Sequence, residues 1–402
     1  MGASVADRRF ASSVRQGGLD ALDWVLRFAQ DLDPESPEYG GVRNLYDAMG
    51  REFVRRGHGL CLTWSACLGA FASLAAHGLT GDPFYRQRVD LIAHYVKGNQ
   101  NLDQSDPIRC GSFLVSRDRT FVDVPDLSWA GNLFVDLYRL TEDEDYLARA
   151  KLAADWLLRV AAMSHGGFTS FYLLESQQPV AYSHASDGEH GFFLANLHDV
   201  TGDDRYGAPL ERLADVLSGP AQHESGAYYA SIRADGTPVF EGWDEESGHP
   251  FIEGIEKAVT GPRQNYYAAR FLIEQHRRDP KPRYLESVRR CAEWSVDVFR
   301  RYGYLSEWLT LEGGEWVPDG HPDVAAPGAM IRVWLPLNEV EPDARWFEAC
   351  CEAAEWTLRW QRRASGHPDI EGAILTEPFV IAYHNSFAAW GLLDLARHLL
   401  QS

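Results

Sequence analysis

The chain has 402 residues, 45% of them apolar and 24% charged, with a formal net charge of -20. That balance suits a folded globular protein and excludes long disordered tracts. The acidity argues against nucleic-acid partners, which need a basic face. No apolar run reaches the roughly 18 residues of a membrane span. The opening stretch has no signal-peptide core, so a cytoplasmic location is expected.

An amphipathic pattern from Leu19, Leu22, Val25 and Phe28 predicts a first helix over about 18–31. From there a two-helix unit repeats. One helix ends near Leu or Val, a short polar turn follows, and the next helix starts on an aromatic residue. The clearest turns are Leu79-Thr80-Gly81-Asp82-Pro83-Phe84-Tyr85, Leu140-Thr141-Glu142-Asp143-Glu144-Asp145-Tyr146 and Val200-Thr201-Gly202-Asp203-Asp204-Arg205-Tyr206. Weaker copies end at Tyr284 and Trp346. A recurring unit of this kind cannot bury its own apolar face and must stack on its neighbours.

The helices before the turns, at about 59–78, 127–140, 188–200, 262–277, 326–338 and 382–400, carry few charges. A helix poor in charge all round is buried on both sides, as an inner ring requires. The helices after the turns show one apolar face. Six of each predict an all-α fold, an (α/α)6 barrel or toroid formed by residues 1–402 as one domain. The short turns belong at one end. Long connections at about 32–58, 98–126, 162–187, 220–261, 302–325 and 362–381 belong at the other. Their length marks them as functional, and residues 227–240 read as a β-hairpin with Arg233-Ala234-Asp235-Gly236 as its turn. The six cysteines show no CxxC spacing and read as reduced, buried thiols.

Three histidines stand at or just before predicted inner-helix starts: His190, His249 and His384, with His58 and His184 at comparable places. Imidazole exchanges protons near neutral pH. A lone histidine at a helix start is usually structural; three at one mouth suggest catalysis. Asp126 and Asp187 open two successive inner helices, and paired carboxyls flanking a glycosidic bond suffice for hydrolysis. Asp123, Glu189, Asp244, Glu246, Glu307, Glu371 and Glu377 are further carboxyl candidates, although Asp is also a common N-cap. Trp129, Tyr172, Tyr182, Trp243, Trp308 and Trp316 could stack on sugar rings. No HExxH-type spacing occurs, and no metal or cofactor is expected.

Several segments together resemble the N-acylglucosamine 2-epimerase superfamily, which includes cellobiose 2-epimerases and aldose–ketose isomerases. They are the run from Asp33 to Gly41 followed by Asn44-Leu45-Tyr46-Asp47, then His165-Gly166-Gly167-Phe168, His190, Gly248-His249 with Glu253, and Tyr383-His384-Asn385. The resemblance implies proton abstraction beside the carbonyl of an open-chain sugar. In that scheme His249 and His384 act as base and acid and His190 assists ring opening. Arg55, Arg56, His58, Asp126, Trp129, Asp187, Trp243, Glu253, Glu307 and Trp308 would contact the substrate. An enediolate needs a nearby cation, for which Arg55, Arg56, Arg263 and Arg332 are candidates. The alternative is a glycoside hydrolase resembling the unsaturated-uronyl hydrolases and using Asp/Glu pairs. Either reading expects a sugar or oligosaccharide as partner, no nucleic acid or membrane, and is compatible with a homodimer.

Overall fold

The computed structural model describes residues 5–55, 60–117, 121–179, 183–184, 186–243, 250–255, 259–376 and 378–401. Its helices are α1 (Val5–Trp24), α2 (Thr63–Thr80), α3 (Pro83–Gly98), α4 (Val124–Thr141), α5 (Glu144–Trp156), α6 (Asp187–Thr201), α7 (Asp204–Gly207), α8 (Leu210–Leu217), α9 (Pro262–Arg278), α10 (Pro282–Tyr302), α11 (Ala325–Val340), α12 (Ala344–Arg359) and α13 (Ala382–Gln401). Helices α2, α4, α6, α9, α11 and α13 each touch the next, and α13 returns to α2, closing an inner ring. The others form the outer layer, the fourth outer position being split into α7 and α8 at Pro209. This is the (α/α)6 barrel.

Sequence explains the layering. Helix α2 contains no Asp, Glu, Lys or Arg and is buried along most of its length, whereas α10 buries one stripe through Tyr284, Val288, Cys291 and Trp294. Small residues let the inner helices approach: a Cβ on Gly391 would stand 2.4 Å from the Gly328 carbonyl oxygen, joining α13 closely to α11. The repeated turn has a definite chemistry. Thr80, Thr141 and Thr201 hydroxyls donate to the carbonyl four residues back, and Asp82, Asp143 and Asp203 accept from the first-turn amides of the following helix, a standard N-cap. The aromatic that follows lies between outer helices; Tyr85, Tyr206 and Tyr284 reach acids on the preceding outer helix, Asp23, Asp155 and Asp215.

Two expectations change. The first helix starts at Val5, well before residue 18, because Ala11 and Val14 are buried and α1 packs along α13. Gly17 and Gly18 lie inside this helix, where they make room for Leu358 and Leu393. The hairpin is also larger than expected and starts later. Ser231–Ile232 pairs with Pro238–Trp243, inside a four-stranded sheet that adds Ser183–His184 and Pro250–Ile255. Ala227–Ala230 is not a strand; the Tyr228 amide instead donates to Asn265 Oδ1.

Among the described residues, four small sheets occupy the long-connection end. Phe121–Asp123 and Phe379–Ile381 run straight into α4 and α13, and Val259–Thr260 ends one residue before α9, so the sheets fix where these inner helices begin. A second repeat holds the loops to the outer layer. Gln30, Gln100, Gln222 and Gln361 donate through Nε2 to backbone carbonyls of a neighbouring outer helix. Nearby glycines press against the same helices: Gly226, at φ 103°, would place a Cβ 2.2 Å from the Arg290 carbonyl oxygen. Gly226→Ala is therefore expected to cost roughly 1–3 kcal/mol, read as a lower urea midpoint at unchanged slope.

All six cysteines are free, and Cys61, Cys67, Cys291 and Cys350 are buried. No described helix is long and apolar enough to cross a membrane.

Candidate active site

The inner helices start at the long-connection end, so their first turns ring one mouth and aim their positive dipole ends at it. A cleft of about 150 Å³ opens there, lined by Trp64, Asp123, Asp126, Trp129, Arg263 and Tyr267 among others. The Trp64 ring packs on Tyr383 at 4.1 Å, and Tyr383 lies 5.2 Å from the Arg263 guanidinium. Trp129 is held by Phe71, Tyr267, Phe387 and Trp390. These contacts give the cleft rigid aromatic walls beside charged groups.

Asp126 sits in the first turn of α4 and is buried. It accepts a hydrogen bond from the Trp64 backbone, while Oδ2 has no hydrogen-bond partner among the described residues. Burial, and then the neighbouring Asp123 carboxylate, push its pKa well above the usual carboxylate range. It is thus suited to hold a proton and donate it. An acid whose folded pKa is raised destabilises the fold once pH passes its unfolded value, about 3.9. Asp126→Asn should therefore become more stable than the parent as pH rises from about 4 to 8, while losing activity. Melting curves across that range test the first half.

Arg263, at the start of α9, is fixed by two carboxylates. Its Nε donates to Asp323 Oδ2 at 2.6 Å and Nη2 to Glu307 Oε1 at 3.0 Å. Asp323 also accepts from the Ala325 amide at 2.7 Å, which ties it to the start of α11. Burial alone would raise the Asp323 carboxyl, but the Arg263 charge, together with His384 and the hydrogen bonds from Ala325 and Arg263, outweighs it and holds the pKa below the usual range. His384 comes from the first turn of α13. Its Nε2 lies 3.7 Å from Asp323 Oδ1, beyond hydrogen-bond distance, and has no hydrogen-bond partner among the described residues. Burial lowers its pKa to about 4, the attraction of Asp323 being insufficient to offset it. His384 is therefore a neutral imidazole at neutral pH. It lines a narrow cavity of about 60 Å³ together with Glu307, Asp323, His321, Phe379 and Ile381, and Arg263 links this cavity to the main cleft.

Other candidates are placed elsewhere. His190 is fully buried, with Nδ1 2.6 Å from Ser128 Oγ and its ring on Phe168, and it does not line the cleft. Asp187 Oδ2 accepts from the Phe168 amide at 2.9 Å. Asn265 and Asn385 do the same for Tyr228 and Ile374, so all three pin a loop to an inner helix. Glu189 is buried, and burial raises its pKa to about 7 against the pull of Arg270 and Arg332. Arg332 opens on the opposite end of the barrel, beside Asp394 and Arg397. Arg55 is exposed and Trp308 half-buried. Tyr172 packs on Trp156, and Trp316 donates to Ser225 while its ring meets Tyr229. Trp243 and Glu253 lie on paired strands of the four-stranded sheet. Arg56, His58, His249, Tyr182, Asp244, Glu246 and Glu377 fall outside the described residues. Trp64, Gln264, Tyr267 and Asp323 were not singled out in the sequence. Only Trp64, an aromatic in the first turn of α2, and Asp323, an acid just before α11, carried a positional signal.

No protein-family model matches the chain, and no curated protein matches it in sequence. Solved structures do match in fold. A cellobiose 2-epimerase from Bacillus thermoamylovorans superposes with a TM-score of 0.71 at 12% identity, covering 96% of this chain and 99% of that one. A sugar epimerase from a ruminal bacterium gives 0.72 at 10% identity, covering 96% and 98%. A glycoside hydrolase family 76 mannosidase from Bacteroides thetaiotaomicron gives 0.67 at 15% identity, covering 96% and 98%. The chain thus has the (α/α)6 barrel fold found in sugar epimerases and in glycosidases, over nearly its whole length.

Proposed function

We propose that the protein is a carbohydrate-active enzyme whose one catalytic domain works at the long-connection mouth, and that it epimerises or isomerises an open-chain sugar. The observation that carries this is His384, a neutral imidazole with an unbonded Nε2, beside an Arg263 that two carboxylates hold in place. His384 takes the proton from the carbon next to the carbonyl; the C–H electron pair moves into the carbonyl and forms an enediolate. Arg263 offsets the developing negative charge, helped by the inner-helix dipoles. Returning a proton to the opposite face of the same carbon gives the epimer; returning it to the carbonyl carbon, while the neighbouring hydroxyl proton passes to the former carbonyl oxygen, gives the isomer. In this scheme His249 is the second acid–base group, Trp64 and Trp129 stack on the sugar, and no metal is needed. Sugar epimerases and a D-mannose isomerase that share the fold support the reading.

A second reading rests on Asp123 and Asp126. Two carboxyls in one tryptophan-walled cleft, one of them favouring its protonated form, supply an acid and a base for glycosidic hydrolysis. A mannosidase with this fold supports it. Incubation with aldoses and disaccharides in deuterated water separates the two. Deuterium at C2 supports proton abstraction, and released monosaccharide without exchange supports hydrolysis. No reaction with any aldose, disaccharide or oligosaccharide would sink both.

A further inference from the structure

The end of the barrel opposite the mouth holds a separate cavity of about 310 Å³, at the lower end of the size range of small-molecule pockets. Four arginines line it: Arg270 and Arg277 from α9, Arg332 from α11 and Arg397 from α13. Their pairing is uneven. Arg277 is neutralised by Glu339 at 2.7 Å. Arg332 and Arg397 share one carboxylate, Asp394. Arg270 makes no ion pair among the described residues, although Glu189 and Asp394 lie close enough to favour its charge. One of its N–H groups donates to the Tyr266 hydroxyl, and its planar face rests 4.2 Å from the Phe192 ring.

Arg332 is buried, stacks on Trp390 at 3.3 Å and reaches the same Tyr266 hydroxyl with Nε at 3.4 Å. Two guanidiniums thus converge on one phenol hydroxyl, in a cavity open enough for a ligand. Helix C-termini often recruit cations, but Arg270 and Arg332 stand about two turns before the ends of their helices, too far to serve the last carbonyls. Desolvated arginines fixed on aromatic faces, with donor edges left over, match the geometry of a tetrahedral oxyanion.

We propose that this cavity is a second binding site, for a phosphate-type oxyanion gripped between Arg270 and Arg332, with Arg397 at the rim. The anion is inorganic phosphate or the phosphate group of a small metabolite. Because α9 and α13 also carry Arg263 and His384 at their other ends, and Asp323 immediately precedes α11, occupancy bears on the same helices that build the mouth.

The test uses the full chain in a phosphate-free buffer, with titration calorimetry and thermal melts against sodium phosphate, glycerol phosphate and sodium chloride at matched ionic strength. Phosphate is expected to bind saturably and raise Tm with concentration, and chloride is expected not to. Arg270→Gln should weaken binding at least tenfold. If that variant does not fold, Arg397→Gln at the exposed rim should still weaken it severalfold. Tighter binding of glycerol phosphate assigns the site to an ester; equal or weaker binding assigns it to the free ion. Equal shifts from chloride, no binding, or phosphate affinity unchanged in both variants would overturn the proposal.

Discussion

Replacing His384 with Gln should reduce deuterium exchange at C2 by about 10²–10⁴-fold, the usual contribution of one positioned acid–base group. Gln keeps most of the volume and polarity, so the fold should survive. The stronger check is the pH profile of the parent protein. An imidazole with its pKa lowered to about 4 stays unprotonated far below the ordinary histidine range. The acid limb of kcat/KM should therefore fall near pH 4 rather than near 6.5. The same shift affects stability. A base that resists protonation when folded costs stability as pH drops below its unfolded value, about 6.5, with the full cost present below about 4. His384→Gln removes that cost, so the variant should gain on the parent between pH 6.5 and 4. Unchanged exchange in the variant, or an acid limb near 6.5, would retire His384 as the base.

Arg263→Gln should be the most damaging single change at the mouth. Asp323 is fully buried and loses its only guanidinium partner among the described contacts, which costs about 3–5 kcal/mol and removes the cation that stabilises the enediolate. The sign with pH is fixed. In the parent, Asp323 has a lowered folded pKa and contributes stability above its unfolded value, lost as pH falls through the folded one. Without Arg263 the carboxyl prefers its proton, so the gap between variant and parent should narrow on acidification. The double variant Arg263→Gln/Asp323→Asn should recover part of the stability but not the activity. Denaturant titrations at several pH values, paired with exchange rates, would read both; a variant as stable as the parent at neutral pH would contradict the account.

The barrel was legible because its repeat is written in local chemistry: charge-poor inner helices, and Thr-x-Asp turns that stop one helix and cap the next. The bracing loops were not, because their strands are two to six residues long and their pairing depends on partners far along the chain. The Gln–Gly brackets, such as Gln30 with Gly40 and Gln222 with Gly226, lie openly in the sequence, but at unequal spacing that hides their common role. At the site, Asp126, Arg263 and His384 could be picked out as first-turn residues of inner helices. Asp187 could not be told from them, because spacing alone does not separate a side chain facing the cleft from one that holds a loop amide. Arg332 was misplaced for another reason. It lies seven residues past the start of α11, which at 1.5 Å per residue carries it about 10 Å down the barrel, to the far cavity.

Helix α1 packs along α13, and α13 completes the inner ring by touching α2. Helices α1 and α13, far apart in sequence, are therefore neighbours in the folded molecule. A chain lacking α13 leaves both α2 and α11 with a bare apolar flank, so the ring cannot close without it. The same adjacency makes the order of the helical hairpins a matter of wiring more than of shape. A circular permutant opened at the Thr201-Gly202 turn, with the old ends joined by a flexible tether, should still assemble the toroid.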